Sequence, residues 1–205
     1  VTITITFSEA MDQTVNPTVT VEDLASSYTT SNPSWTDATH FTCDFTFIDD
    51  GEEATGHYHI SGAKDVAGNV MAADNTNAVD VDTKNPTGTV TVSPDTVYDD
   101  ALTLMVTVTY DETMDTSSTP AITFGAITGT ITTKSDGAWD GTAKIWTETF
   151  DITDADEEVT GVTVSSSGAK DVAGNEEGTC VQDTFDVDTK NPTGTVTVSP
   201  DTVYD

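Results

Sequence analysis

Apolar and polar residues alternate along much of the chain. Residues 1–7, VTITITF, carry an apolar side chain at every second position, and residues 41–48, FTCDFTFI, do nearly the same. A period of two puts one face of a strand in a core and the other in water, whereas a helix needs apolar residues three or four positions apart. Thr, Val, Ile and Phe suit such a pleated surface, and strong helix formers are scarce. The pattern predicts an all-β chain.

A long internal repeat divides this pattern into two copies. Three stretches occur twice: DVDTKNPTGTVTVSPDTVYD at 80–99 and 186–205, GAKDVAGN at 62–69 and 168–175, and FSEAMD at 7–12 with its variant YDETMD at 110–115. The first two pairs are 106 residues apart and the third pair is 103 apart. A period of this length indicates a tandem array of whole domains, because the units of solenoids and propellers have only about 20 to 50 residues.

The repeat sets the predicted domain boundaries. Residues 1–85 form a repeat that lacks its first strand, residues 86–191 form a complete repeat, and residues 192–205 are the first strand of the next one. Pro86 restricts Asn85 to extended conformations, so the linker should be short and stiff. Because the two copies are cut out of phase, we expect the sequence to be either a window on a longer protein or a processed product.

The complete repeat contains seven predicted strands. They span residues 89–92, 102–110, 121–124, 127–132, 144–152, 159–164 and 184–187. Short strands separated by turn signals, with no helical period, are typical of an immunoglobulin-like Greek-key β-sandwich. The fold prediction is therefore all-β, with tandem sandwiches of this type joined end to end. In the first repeat, the polar stretch up to Ser34 is predicted as loop with room for one edge strand.

Charge narrows the range of partners. The chain has 36 acidic and 6 basic residues, a formal net charge of -30. Such a chain repels nucleic acid and anionic membranes and attracts cations. No apolar run in this window approaches the roughly 20 residues of a membrane-spanning helix. We therefore expect neither a nucleic-acid partner nor a membrane span within these residues.

The two cysteines, Cys43 and Cys180, do not occupy equivalent positions in the two copies, which excludes a disulfide framework. Cys43 shares the parity of Phe41 and Phe45 on its strand. It is therefore predicted to be a small core residue.

The motifs together resemble a known family. A strand ending in S/D-E-x-M-D, a later strand ending in GAKDVAGN, and VDTKNPT leading into the next copy resemble the bacterial and archaeal immunoglobulin-like tandem repeats of surface-layer proteins and giant repeat adhesins. The resemblance covers the whole chain. It implies a sandwich fold and an extracellular, cell-surface location. It names no ligand, since such domains anchor, space, adhere or decorate enzymes.

We expect a structural role and no enzymatic activity. No Gly-rich phosphate loop precedes a helix, and spacing singles out no acid/base pair among the 36 acidic residues. The first interpretation is a structural repeat segment of an extracellular fibre, surface layer or adhesin stalk. The second is a ligand-binding adhesin module that recognises a carbohydrate or protein surface. Near-identity of the linker in both copies favours the first, because one ligand site would not need the joint to be repeated.

The expected partners are neighbouring copies of the same repeat. In the plainer interpretation the copies are covalently continuous in one long chain. Alternatively, they are joined by strand donation, because residues 192–205 carry the strand that the first repeat lacks and an unpaired edge is a template for a neighbour's strand.

Carboxylates are predicted to converge at the joint between copies. In an immunoglobulin-type sandwich, the loop after the second strand and the loop before the last strand lie at the end where the chain enters. For the second copy these loops carry Glu112 and Asp171, and the exiting strand of the first copy brings Asp80 and Asp82, with Asn85 nearby. Like charges so close repel unless a cation lies among them, and Ca2+ takes about six to eight oxygen ligands. The sequence therefore predicts structural Ca2+ at this joint.

Equivalent carboxylates are predicted to form half of each neighbouring joint: Glu9 and Asp65 at the front, and Asp186 and Asp188 at the back. The layout looks like the calcium-rigidified joints of cadherin-type arrays. In the competing interpretation, Glu112 ends a strand in water and Asp171 hydrogen-bonds the backbone of its own turn, as turn aspartates often do.

Overall fold

The computed structural model of the chain describes residues 1–25, 27–199 and 202. In this part of the chain there are strands, turns and bends but no helix, so the predicted all-β class is confirmed. No helix long and apolar enough to cross a membrane occurs among these residues. The chain divides into two compact units, Val1–Asn85 and Pro86–Asp205.

The first unit consists of two three-stranded antiparallel sheets. Its strands are β1 (Thr2–Thr6), β2 (Thr18–Glu22), β3 (Tyr28–Trp35), β4 (His40–Phe47), β5 (Glu53–Ser61) and β6 (Asp74–Asp82). One sheet has the order β1-β4-β3 and the other β2-β5-β6. The core lies between them, because the inward faces of both sheets contribute to one buried apolar cluster.

The alternation in β4 explains how this core forms. Phe41, Cys43 and Phe45 point to the same face and are buried, while the residues between them are more exposed. Phe45 meets Tyr58 of the opposite sheet edge to face, with ring centroids 5.2 Å apart, a favourable geometry for two aromatic rings. The prediction that Cys43 is a core residue is confirmed, and both cysteines are free thiols.

The second unit is built on the same plan with additional strands. Its strands are β7 (Gly88–Ser93), β8 (Thr96–Tyr98), β9 (Thr103–Tyr110), β10 (Ala121–Phe124), β11 (Ile131–Thr133), β12 (Ala138–Trp139), β13 (Ile145–Ile152), β14 (Glu158–Ser167) and β15 (Asp183–Asp188). One sheet has the order β11-β13-β9-β7, with β12 also paired to β13. The other has the order β10-β14-β15-β8, in which β8 and β15 are parallel.

The core of the second unit lies between its two sheets, which gives it a sandwich-like character. Leu104, Val106 and Val108 of β9 are fully buried, and so are Val164 of β14 and Phe185 of β15 from the opposite sheet. Burial contributes about 25 cal/mol for each Å² of apolar surface removed from water. Burial of these alternating apolar side chains therefore stabilises this unit.

At the sheet edges one strand prediction is confirmed and one differs. The polar stretch that was predicted as loop with room for one edge strand contains the eight-residue strand β3, which extends to Trp35 and pairs with β4. Its ladder shifts between Ser31 and Ser34, where Asn32 has a φ of 52° and Pro33 needs no ladder hydrogen bond. In the second unit, the predicted strand at 127–132 is reduced to the three residues of β11. Edge strands have partners on one side only, so their polar sequences carry little periodic signal.

Residues 192–199 form no strand with the described part of the chain and are exposed. Their assignment, with residues up to 205, as the first strand of a next repeat stays a prediction. Residues 200, 201 and 203–205 of that segment lie outside the described residues.

Candidate metal-binding loops

The turn that follows β14 is organised by Asp171. The residue is 1 % exposed. Its Oδ1 accepts hydrogen bonds from the backbone N–H groups of Gly174 at 2.6 Å and Asn175 at 2.9 Å, and its Oδ2 accepts one from Asn175 Nδ2 at 2.8 Å. Gly174 has a φ of 100°, a conformation that glycine adopts without steric cost. The GAKDVAGN motif is therefore a turn closed by its own aspartate.

The first unit contains the same turn. Oδ1 of the buried Asp65 accepts a hydrogen bond from the Asn69 backbone at 2.8 Å, and Oδ2 accepts one from Asn69 Nδ2 at 2.7 Å. Hydrogen bonds from the Asn69 side chain and then its backbone hold the pKa of Asp65 below its usual value. Both turn carboxylates thus have the local hydrogen bonds that the competing interpretation expects of them.

The loop after β9 lies against this turn in the second unit. Met114 forms a bridge with Asp171, and the Asp115 N–H donates to the Lys170 carbonyl at 2.8 Å. One carboxylate oxygen of Glu112 and one of Asp171 lie within 4.8 Å of each other. Both loops are at the end of the unit where β7 begins, since Gly88 pairs with Tyr110 at the end of β9. The structure therefore brings together the two ligands that were predicted at this end of the second unit.

The equivalent loops of the first unit are also tied together. Met11 bridges to Asp65, and the Asp12 N–H donates to the Lys64 carbonyl at 2.9 Å. Glu9 is exposed and lines, together with Asp65, an open cleft of about 260 Å³. The predicted front half-site thus consists of two carboxylates beside one cleft.

The other two predicted ligands of the first unit lie on β6, away from the cleft beside Glu9 and Asp65. Asp80 Oδ1 accepts a hydrogen bond from Thr55 Oγ1 at 2.7 Å, and Asp82 Oδ1 accepts one from the Lys84 N–H at 3.2 Å. Both line a shallow cleft with Glu53 of the neighbouring strand β5. Asp82 therefore lies beside another acid near the end of its unit.

The predicted back half-site is on β15. Asp186 Oδ1 accepts a hydrogen bond from the Gly161 N–H at 2.8 Å, and Asp188 is exposed opposite Glu158. Since β15 ends here, this pair lies at the opposite end of the second unit from Glu112 and Asp171.

The sequence analysis did not predict the acidic surface that lies near Asp188. Partial loss of hydration, followed by repulsion from Asp154, Asp100, Asp156 and Asp188, raises the pKa of Asp99. Asp99 and Asp100 follow β8, Asp154 and Asp156 precede β14, and Asp188 ends β15, which pairs with both strands at this end. The sequence feature that could have predicted this surface is the occurrence of two acidic residues close together directly before or after a strand.

Sequence reasoning also missed a buried polar group in the second unit. Tyr110 Oη lies 3.2 Å from Ser166 Oγ and donates to Glu177 Oε2 at 3.2 Å, and Ser166 donates to the same oxygen at 3.1 Å. All three residues are buried, and burial is the main cause that raises the pKa of Tyr110. Their spacing follows neither a strand nor a helix period, so only the folded chain shows that they meet.

Comparisons with known proteins found no relative of this chain. No family model matches it, and neither a curated protein nor a solved structure is detectably similar to it.

Proposed function

We propose that the chain is a structural repeat segment of an extracellular fibre, surface layer or adhesin stalk, built from immunoglobulin-like domains. The observation that carries this proposal is the shared plan of the two units. The sheet orders β7-β9-β13-β11 and β10-β14-β15-β8 support it, because an immunoglobulin-like domain also consists of two packed sheets of this size. In the described part of the first unit, the sheets β1-β4-β3 and β2-β5-β6 correspond to parts of these two sheets.

The repeated turns support a structural role. The closing carboxylates Asp65 and Asp171 occur in both units with the same donors, the backbone and side chain of the asparagine four residues later. A turn of this kind fixes the direction in which the chain leaves one strand and enters the next. Two turns with the same sequence and the same closing hydrogen bonds at equivalent positions support the repetition of one structural unit.

Ca2+ bound at the joints is part of the proposal. Glu112 and the buried Asp171 present carboxylate oxygens within 4.8 Å of each other, and two such charges repel unless a cation or a proton lies between them. Asp80 and Asp82 would complete the oxygen set from the end of β6. Each carboxylate oxygen can accept more than one contact, so the turn hydrogen bonds of Asp171 leave it capable of binding a cation.

Imaging tests the structural role. Negative-stain micrographs of the native assembly should show a thin, beaded rod whose beads have the size of one repeat. Compact particles of uniform size would contradict the proposal.

Thermal unfolding with Ca2+ and with a chelator tests the metal. Binding to the folded state alone stabilises it by about 2.7 kcal/mol when the free ion is at 100 times Kd, so chelation should lower Tm by several degrees. Glu112→Ala and Asp82→Ala should reduce this difference. Glu176→Ala, which removes an exposed acid from the same turn region, should leave it unchanged. Coincident melting curves with and without chelator would exclude structural Ca2+.

A further inference from the structure

Two of the three histidines of the chain lie on the outer face of strand β5. His57 and His59 alternate there with Gly56, Tyr58 and Ile60, which are buried on the inner face of the same strand. In an extended strand, residues two positions apart have Cα atoms about 6.8 Å apart and point to the same side. The two imidazoles therefore lie side by side on this sheet, where their side chains are 41 % and 30 % exposed.

Each imidazole has a carboxylate at its Nδ1 atom. His57 Nδ1 lies 3.3 Å from Asp23 Oδ2, and His59 Nδ1 lies 3.4 Å from Glu22 Oε1. Both acids come from the end of one strand, since Glu22 ends β2 opposite His57 and Asp23 follows it. A carboxylate at this position holds the proton of a neutral imidazole on Nδ1, so the lone pair of Nε2 is available to a ligand.

The surroundings of the two rings favour a small cation. The residue opposite His57 on the neighbouring strand β6 is Ala78, whose side chain is a single methyl group and is exposed. The chain has a formal net charge of -30, which raises the local concentration of cations. An ion and its water molecules therefore have both space and a favourable field above this face.

The second unit forms the same strand pair without these ligands. The residues of β14 that correspond to the two histidines are Thr163 and Ser165, and the residue that corresponds to Glu22 is Gly125. In that unit a hydroxyl pair connects the strands, with Ser165 Oγ 2.7 Å from Thr123 Oγ1. The sheet thus folds without imidazoles at these positions, so packing does not account for the two histidines of the first unit.

We propose that His57 and His59 bind one divalent transition-metal ion, such as Zn2+, through their Nε2 atoms, with water at the remaining positions. Zn2+ accepts imidazole nitrogen at about 2.0 to 2.1 Å, whereas Ca2+ takes oxygen ligands. Asp23 and Glu22 are positioning residues, because they orient the rings and make the ligand nitrogens more basic. The site differs in its ligands and its ion from the proposed Ca2+ joints, and it does not rest on the proposed function.

Calorimetric titration of the untagged 205-residue chain with Zn2+ tests the proposal. The buffer contains excess Ca2+, which competes for sites made of carboxylates. We expect one Zn2+ per chain, and His57→Asn and His59→Asn should each remove most of the binding, since a single imidazole is then left. Asp23→Asn and Glu22→Gln keep an acceptor oxygen but lose its charge, and they should weaken binding about tenfold.

Two control variants address the type and the charge of the side chains. His40→Asn removes the third histidine, which is on β4 with its Nδ1 beside Asp37, and it should bind Zn2+ as the parent does. Asp49→Asn removes one exposed acid of the same unit and should also leave the affinity unchanged.

Nuclear magnetic resonance of the parent gives a result that is independent of any variant. Zn2+ should shift the imidazole signals of His57 and His59 and leave those of His40 unchanged. Without metal, the ring nitrogen shifts should place the proton of the neutral imidazoles on Nδ1. In Asp23→Asn this preference should decrease for His57 alone, a change that a purely structural role of Asp23 would not produce.

Three outcomes would overturn the proposal. They are the absence of Zn2+ binding by the parent, binding that disappears when Ca2+ is in excess, and binding that persists in His57→Asn/His59→Asn, since the last two assign the ion to carboxylates alone. Unchanged affinity in both Asp23→Asn and Glu22→Gln would refute the positioning role. Loss of the thermal response to Ca2+ with Zn2+ binding intact would reject only the Ca2+ joints of the proposed function.

Discussion

Replacement of Asp171 separates a turn role from a metal role. Its carboxylate accepts three hydrogen bonds, and Asp171→Ala leaves their donors on Gly174 and Asn175 without this acceptor. Hydrogen bonds to a charged group contribute about 1.5 to 3 kcal/mol each. Gly174 is exposed, so water replaces part of the loss. We expect the free energy of unfolding of the second unit to fall by about 2 to 4 kcal/mol.

Asp171→Asn is the matched control. It keeps Oδ1 as an acceptor for the two backbone donors and places an amide N–H group opposite Asn175 Nδ2, so one of the three hydrogen bonds is lost. The expected cost is about 1 to 2 kcal/mol. If the residue also binds Ca2+, the loss of its charge lowers the ion's affinity, and Asp171→Asn should reduce the stabilisation that added Ca2+ provides.

The assay is urea denaturation of the full chain, followed by amide hydrogen exchange. Exchange in β9 and β14 reports on the second unit, and exchange in β4 and β5 reports on the first unit as an internal control. This separation is necessary because two units can unfold independently and one transition then does not describe the chain. A cost below about 0.5 kcal/mol for Asp171→Ala, the size of an ordinary surface substitution, would refute the turn role. Equal losses of stability in both units would refute the inference that Asp171 acts within its own unit.

Two further predictions concern the second unit. Leu104 is 0 % exposed and its neighbour Met105 is 43 % exposed, so Leu104→Ala should cost about 2 to 5 kcal/mol while Met105→Ala costs far less, as measured by urea denaturation. A comparable cost for both would contradict the assigned face of β9. The raised pKa of Tyr110 means that the folded state favours the neutral phenol, so its contribution is complete below the ordinary tyrosine pKa of about 10 and is lost as pH rises through the folded value. Unfolding free energies measured from pH 9 to 12 should therefore fall more steeply in the parent than in Tyr110→Phe, and parallel curves would contradict this assignment.

The sequence predicted those strands whose two faces have different surroundings. In β4 and β9 one face enters the core and the other meets water, and a two-residue period is the direct result. The short strand β8 was not predicted, because its three residues are too few to show a period. Its place depends on parallel pairing with β15, which is almost ninety residues away in the chain.

The sequence also predicted part of the candidate metal-binding site. Identical turns at Asp65 and Asp171 indicated that these aspartates matter in both units, and the topology indicated that Glu112 would be near Asp171. The hydrogen bonds that Asp171 accepts could be anticipated only as a competing interpretation, because an aspartate in a turn has the same sequence whether it binds its own backbone or a cation. The grouping of Asp99 with Asp154 depends on which loops meet at one end, and spacing does not encode that.

The residues of the buried polar group in the second unit have apolar equivalents in the first unit. Tyr110, Ser166 and Glu177 correspond to Phe7, Ile60 and Met71 in the first unit, so a hydrogen-bonded set in one unit is an apolar set in the other.

Replacement of these polar side chains by apolar ones is tolerated only when all three residues change together. Loss of one partner leaves a buried polar atom unsatisfied, at a cost of about 1 to 3 kcal/mol, whereas replacement of the whole set by apolar groups is nearly neutral. These three side chains therefore differ between the units as a set, while the turns and the linker have the same sequence in both copies. The proposed array would tolerate such differences inside a unit, because its function would depend on the segments that join one repeat to the next.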